Sequence, residues 1–133
     1  LHGVHMLTRA VYDLSTPERA AESWRRYPAA AHPAVRLHPE TGRKALYVNE
    51  QLRLFVGMTA AESKPLIHYL TEHAVRPQNV YRHQWQKDHL VMWDNRCLLH
   101  MALGDFDRTR LRHMERTTVH AEVSGYVYQG PAE

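Results

Sequence analysis

The sequence predicts a mainly β fold with inserted helices, and three observations predict it. Stretches that alternate with a period of two fill much of the chain from Val80 onward. Two other segments carry helix-start signals followed by helix-forming sequence. Helices and strands do not alternate one for one, so the layout is not a βαβ series over a parallel sheet.

The elements follow in order. Ser15-Thr16-Pro17-Glu18 combines a hydroxyl cap, a proline in the first turn and a glutamate three residues after Ser15, which predicts a helix running to about Tyr27. Pro28 and Pro33 close it and carry the chain into extended structure. Residues 34–38 and 44–48 flank Pro39-Glu40-Thr41-Gly42-Arg43, whose proline and glycine suit the turn of a hairpin. Thr59-Ala60-Ala61-Glu62 caps a second helix over about Ala60–Ala74, with Leu66, Ile67, Leu70 and Ala74 as its apolar stripe. Pro65 stands late for a first turn, so a start at Ser63 or a bent helix is expected. Arg76-Pro77 ends it. Beyond it, residues 80–85, 90–93, 97–101 and 112–120 read as strands, and the tail 124–133 reads as irregular.

Composition bounds the function. The chain has 133 residues, 44% hydrophobic and 23% charged, with six Gly and seven Pro. These are ordinary values for one globular domain, and they exclude a low-complexity tract. No run is long enough for a membrane span, and Leu1-His2-Gly3-Val4-His5 lacks the pattern of a signal peptide. One cysteine, Cys97, excludes an internal disulfide and a Cys-based zinc ribbon, and leads us to expect a cytoplasmic setting. Lys plus Arg exceed Asp plus Glu by 17 − 14 = 3. That excess is mostly arginine, which suits bidentate contacts better than loose polyanion binding. Basic and aromatic residues at 81–85 lack the broad basic surface a nucleic acid requires, so no nucleic-acid partner is expected.

Eleven histidines invite a metal site, yet most sit in unsuitable company. His2 and His5 have no carboxylate or cysteine nearby to complete a zinc set. His38-Pro39-Glu40, followed at a distance by His100, superficially fits two histidines and a carboxylate around iron. It falls on a hairpin tip, where both side chains are expected to face water. His100, between Leu98-Leu99 and Met101-Ala102-Leu103, is either a half-buried core histidine or a neutral ligand aimed into a pocket. Cys97 lies in an apolar run and reads as a packed thiol, and no phosphate-binding glycine loop or nucleophile elbow occurs. In a strand, Arg112 and Arg116 share one face ~13 Å apart. They form either a solvated face, the plainer reading on pattern alone, or the wall of an anion-binding cavity.

The run Trp93-Asp94-Asn95-Arg96-Cys97-Leu98-Leu99-His100, with Gly104-Asp105-Phe106 and Arg112-His113-Met114-Glu115-Arg116-Thr117-Thr118, resembles the C-terminal part of the TauD/TfdA family. Those are Fe(II)- and 2-oxoglutarate-dependent dioxygenases acting on taurine, 2,4-dichlorophenoxyacetate and related compounds. His32-Pro33-Ala34-Val35-Arg36, the hairpin through Lys44, Leu46-Tyr47-Val48-Asn49 and Val56-Gly57-Met58 are similar to the same family, so the likeness is clearest over 28–125. The resemblance implies a single domain over 1–133 that is the C-terminal half of a double-stranded β-helix, or jelly roll. It implies that His100 is the distal iron ligand, that Arg112 pairs with the far carboxylate of 2-oxoglutarate, and that Arg116 faces the anionic group of the substrate. The spacing from His100 is one residue longer than the family's, which leaves Arg110 a weaker competitor for Arg112. Trp93 and Tyr47 are expected to line the pocket.

The family's His-x-Asp, which supplies two more iron ligands, has no counterpart before residue 28. The implied reaction consumes 2-oxoglutarate and dioxygen, hydroxylates a small sulfonate or an aryloxy or alkyl acid, and releases succinate and carbon dioxide. The 133 residues alone are expected to be inactive. The alternative is a truncated, non-catalytic remnant serving as a binding or oligomerisation domain. Unpaired edges of a half barrel are expected to make the chain prone to aggregation or to self-association as a homo-oligomer.

Overall fold

Three short stretches from the first 55 residues and one from near the end of the chain pair to form the main sheet. In the computed structural model, which describes residues 1–6, 16–119 and 125–131, β1 (His2–His5) is buried over Gly3, Val4 and His5. It pairs antiparallel with β2 (Ala30–Pro33) on one side. On the other side it pairs with β5 (Leu52–Phe55), and the register shifts between Val4 and His5. β6 (Tyr126–Val127) adds to the far edge of β2, giving the order β5-β1-β2-β6. Three sheet members were not expected as strands: β1, β5 and β6, the last inside the stretch read as irregular. Each is too short, at two to four residues, for a period of two to show.

The expected hairpin is present as β3 (Val35–Leu37) and β4 (Lys44–Leu46). Its turn is closed by the His38 amide donating to the Arg43 carbonyl at 2.8 Å, and Gly42 takes φ 65°, which glycine adopts without penalty. The hairpin is tied to the main sheet where the Tyr47 amide donates to Ala34 O (2.8 Å) and the Ala34 amide to Leu1 O (3.1 Å).

α1 (Pro17–Arg26) forms as expected, but its cap is Thr16, whose Oγ1 accepts from the Arg19 amide at 3.3 Å. Ser15 lies outside the described residues. α2 (Ala60–Ala74) begins at Ala60 despite Pro65. A reciprocal capping box secures that start: the Glu62 amide donates to Thr59 Oγ1 (3.2 Å) and the Thr59 amide to Glu62 Oε2 (2.8 Å). The start at Ser63 is therefore corrected. Leu66, Ile67, Leu70 and Ala74 pack on Ala34, Val48, Leu52 and Phe55, so the stripe read from the sequence is the one that covers the sheet edge. Fully buried Ser63 fastens the helix to β5 by accepting from the Phe55 amide at 2.9 Å. A second small core joins Val4, Ala31 and Leu54.

From Pro77 the expectation and the structure part. A 3₁₀ turn (Pro77–Asn79) follows α2, and residues 80–119 contain no strand. The four strands expected at 80–85, 90–93, 97–101 and 112–119 are thus corrected, and His120 lies outside the described residues. Alternation gives a stretch two faces, but a strand also needs a neighbour for its amides and carbonyls. Among the described residues, none pairs with this segment. Its apolar side chains remain in water: Leu90 is 84% exposed, Met92 86% and Leu111 96%. No helix among the described residues is long and apolar enough to cross a membrane.

Candidate functional site

The residues singled out from sequence fall in three places. Trp93 and His100 meet across a turn, with ring centroids 5.0 Å apart, and Trp93 Nε1 donates to Asn95 Oδ1 at 2.8 Å. His100 is exposed, so neither the half-buried core reading nor an enclosed pocket applies to it here. Arg112 lays its guanidinium over Phe106, 4.9 Å from the ring centre, an attraction of cation to ring face. Arg116 is exposed in a segment without strand, so the pleat that was to align it with Arg112 is not there. Among the described residues no hydrogen bond or ion pair links His100 to either arginine. Tyr47 stands elsewhere, its ring contacts being with His5, His32 and Arg36.

A polar network joins the hairpin tip to the turn that precedes His100. Asp94 accepts from the Arg96 amide (2.8 Å) and from Arg96 Nε (2.9 Å), closing a tight local loop. The amides of Cys97 (3.3 Å) and Leu98 (3.1 Å) donate to the Asp94 carbonyl, so the main chain turns sharply here. His38 Nε2 donates to Asp94 Oδ2 at 3.1 Å, and the Thr41 amide donates to His38 Nδ1 at 3.3 Å. Arg96 then reaches across the chain to Glu40, with Nη1 to Oε1 at 3.1 Å and Nη2 to Oε2 at 2.8 Å, the bidentate fork that carboxylates bind well. Hydrogen bonds from the Arg96 side chain and amide hold the Asp94 carboxyl well below the usual carboxylate range. Hydrogen bonding to Asp94 and Glu40 pushes Arg96 further up. The expectation that His38 and Glu40 both face water is corrected for His38, whose side chain is only 12% exposed.

A second cluster lies under the sheet. His5 Nδ1 donates to Asn49 Oδ1 at 3.2 Å, and its ring packs 4.8 Å from that of Tyr47 and 5.4 Å from that of His32. Arg36 stacks on Tyr47, its guanidinium carbon 3.4 Å from the ring centre, and donates to His32 Nδ1 at 3.0 Å. Burial, with smaller contributions from the neighbouring His32 and Arg36 charges, pulls His5 down to about 4, against a partial opposing effect of Asn49. Gly3 makes room for this packing, since a Cβ there would stand 2.6 Å from Leu52 Cδ1 and 3.4 Å from His5 Nε2. Sequence reasoning missed both clusters. Asp94, two residues before Arg96, is a signal that could have indicated the local turn, but nothing in the sequence signals partners 56 residues apart.

The donor set can be tested for a metal. His38, Asp94 and Cys97 present ligand atoms within 4.8 Å of one another. Both Asp94 oxygens are already saturated by Arg96 and His38, so this trio is a hydrogen-bonded network and not a vacant coordination shell. His100 belongs to no group of three or more potential metal ligands among the described residues. One exposed imidazole does not hold iron, so the residues present do not fit an iron centre by themselves.

Comparison with known proteins gives this geometry a context. The family model described as "Taurine catabolism dioxygenase TauD, TfdA family" matches residues 1–118. That range starts well before residue 28, where the motif likeness began. The alpha-ketoglutarate-dependent 2,4-dichlorophenoxyacetate dioxygenase of Burkholderia sp. is 35% identical over 118 residues, covering 89% of this chain and 39% of that protein. The (S)-phenoxypropionate/alpha-ketoglutarate-dioxygenase of Sphingobium herbicidovorans is 41% identical over 87 residues, covering 65% of this chain and 30% of that protein. The crystal structure of AAD-2 in complex with Mn(II) and N-oxalylglycine superposes with a TM-score of 0.55 at 30% identity, covering 65% of this chain and 34% of that one. The chain therefore spans 30% to 39% of the length of these relatives.

Proposed function

This chain belongs to the taurine catabolism dioxygenase TauD, TfdA family, and from that premise we propose that it is the C-terminal, jelly-roll half of a 2-oxoglutarate-dependent dioxygenase. The proposed reaction converts 2-oxoglutarate, dioxygen and a substrate C–H bond into succinate, carbon dioxide and the hydroxylated substrate. A small aryloxy acid, sulfonate or sulfate ester is the substrate class, by analogy with what relatives are named for. The observation that carries the reading is that His100, Arg112 and Arg116 all fall inside the matched range, 1–118.

In this reading His100 would contribute one imidazole to an Fe(II) site completed elsewhere, and Trp93 would stand as a wall beside it. Arg112 turns from Phe106 to hold the far carboxylate of 2-oxoglutarate, for which its planar fork of donors is suited. Arg116 takes the anionic end of the substrate. Both guanidiniums bind and orient, which brings reacting groups to a fixed geometry without participating in bond making. We place the other iron ligands in the part of the relatives' length that these residues do not span.

The test is turnover by the intact gene product containing these residues, supplied with Fe(II), 2-oxoglutarate and a panel of aryloxy acids, sulfonates and sulfate esters. Succinate formed in step with a hydroxylated substrate is expected. A product that binds Fe(II) and 2-oxoglutarate yet makes no succinate with any panel member sinks the reading. The exposure of an isolated His100 favours a second reading, a non-catalytic binding or oligomerisation domain. Calorimetry on residues 1–133 separates the two accounts of the metal: no specific Fe(II) uptake is expected, and tight one-to-one binding contradicts the ligand placement.

A further inference from the structure

The Asp94 turn and the hairpin tip are distant in sequence, yet they share four side chains in one continuous network. Asp94 organises the turn from within, accepting from the Arg96 amide and side chain, while its carbonyl accepts from the Cys97 and Leu98 amides. Trp93 enters that turn and His100 leaves it, and the two rings come to lie 5.0 Å apart. His38 and Glu40 hold the turn from outside, at 3.1 Å to Asp94 and at 2.8 and 3.1 Å to Arg96. Segment 80–119 has no sheet ladder to fix it among the described residues. Side-chain bonds must therefore supply what backbone pairing does not, and charge-assisted forks are the ones strong enough to do so. The hairpin itself is anchored to the main sheet through Tyr47 and Ala34. A chain of fixed contacts thus runs from β1 and β2 to the ring of His100.

We propose that His38, Glu40, Asp94 and Arg96 form a positioning clamp that seats the Trp93–His100 pair on the β3–β4 hairpin. None of the four needs to touch substrate, and they are positioning residues. The use to which the seated imidazole is put rests on the function proposed above, whereas the clamp rests on geometry alone.

The test uses the 133-residue chain with a nitroxide on Leu98→Cys in a Cys97→Ser background. Amides of His38 and of residues 40–43 are expected to show paramagnetic broadening, as the clamp requires their proximity to the turn. The His38→Gln/Glu40→Gln double variant is expected to cut that broadening by about threefold or more, since an exposed ion pair and its hydrogen bonds bias docking by that order. Restoring the charge with Glu40→Asp in the His38 background is expected to recover part of it. Amides of Val4, Ala31 and Leu54 report whether the sheet is still folded and are expected to stay put. As a second readout, the His100 ring proton resonance carries the ring-current shift of Trp93 and is expected to move toward the value of a free histidine in Asp94→Ala. Broadening that is absent in the parent or unchanged in the double variant overturns the clamp, as does a His100 resonance indifferent to Asp94→Ala. Absence of succinate formation by the intact gene product, with the clamp intact, counts against the proposed activity and leaves the clamp standing, so the two failures are distinguishable.

Discussion

His5 shows how much one buried side chain can decide. Its ring is 6% exposed and already donates Nδ1–H to Asn49, so a proton on Nε2 would place a charge beside Arg36 and His32 with no acceptor to receive it. The ring therefore binds its second proton near 4 in the folded chain but near 6.5 when unfolded. Between those values the unfolded state holds more protons, and stability falls as pH falls through that window. Going from pH 7.5 to pH 4.5 is expected to cost the chain about 2 to 3 kcal/mol through this residue. Urea unfolding at the two pH values, repeated with His5→Gln, checks it: the variant should lose much of the difference, and an unchanged pH dependence refutes the assignment. Arg112 is a residue-scale matter of another kind. If it holds the cosubstrate carboxylate, Arg112→Ala in the intact protein should raise KM for 2-oxoglutarate by about 30- to 100-fold, the worth of a charged bidentate contact. KM for the substrate should change far less, and a variant with unaltered 2-oxoglutarate KM would move the role to Arg110.

The two helices were legible because their signals are local, and the clearest test of an element concerns where α2 meets β5. Thr59 and Glu62 act within one turn, and successive members of the 66-67-70-74 stripe lie about a turn or less apart, so the sequence alone indicated both the cap and the covered face. The hairpin was legible for the same reason, with Gly42 at its turn. β1, β5 and β6 were not, because a strand of two to four residues is defined by its neighbours and those lie tens of residues away. Segment 80–119 shows the converse error, in which alternating pattern was read as pairing. What joins the helix to the sheet was also invisible: Ser63 looks like any helix-start serine, yet its hydroxyl is the acceptor for the buried Phe55 amide. Ser63→Ala strands that amide in the core, which is expected to lower stability by about 1 to 3 kcal/mol. Because serine gains nothing from helix propensity over alanine, a neutral or stabilising result by chemical denaturation would show that the bond is dispensable.

At the scale of the whole molecule, composition described an ordinary globular domain and the arrangement of surface says otherwise. Hydrophobic side chains make up an unexceptional 44% of the sequence, but they are divided unevenly. Residues up to 74 build two small cores around Phe55 and Leu54, whereas 80–119 leaves Tyr81, Leu90, Met92, Met101, Leu111 and Val119 in solvent. Single exposed apolar residues are normal on a monomer, but so many in one segment without a ladder partner are not. The candidate site suffers the same division: the motif run made Trp93, His100, Arg112 and Arg116 legible as a set, while the structure brings together only the first two. An isolated chain with this surface is expected to lower its free energy by covering it, and the nearest available cover is another copy. Sedimentation velocity at rising concentration should therefore show species larger than 15.5 kDa, with dye binding that reports exposed apolar surface. Replacing Leu90, Met92 and Leu111 together by Ser should shift the distribution toward monomer without disturbing the sheet, because none of the three is in either core. A wild-type chain that stays monomeric and binds no dye would mean that 80–119 covers itself in solution, and would remove the reason to look for its partner in another polypeptide segment.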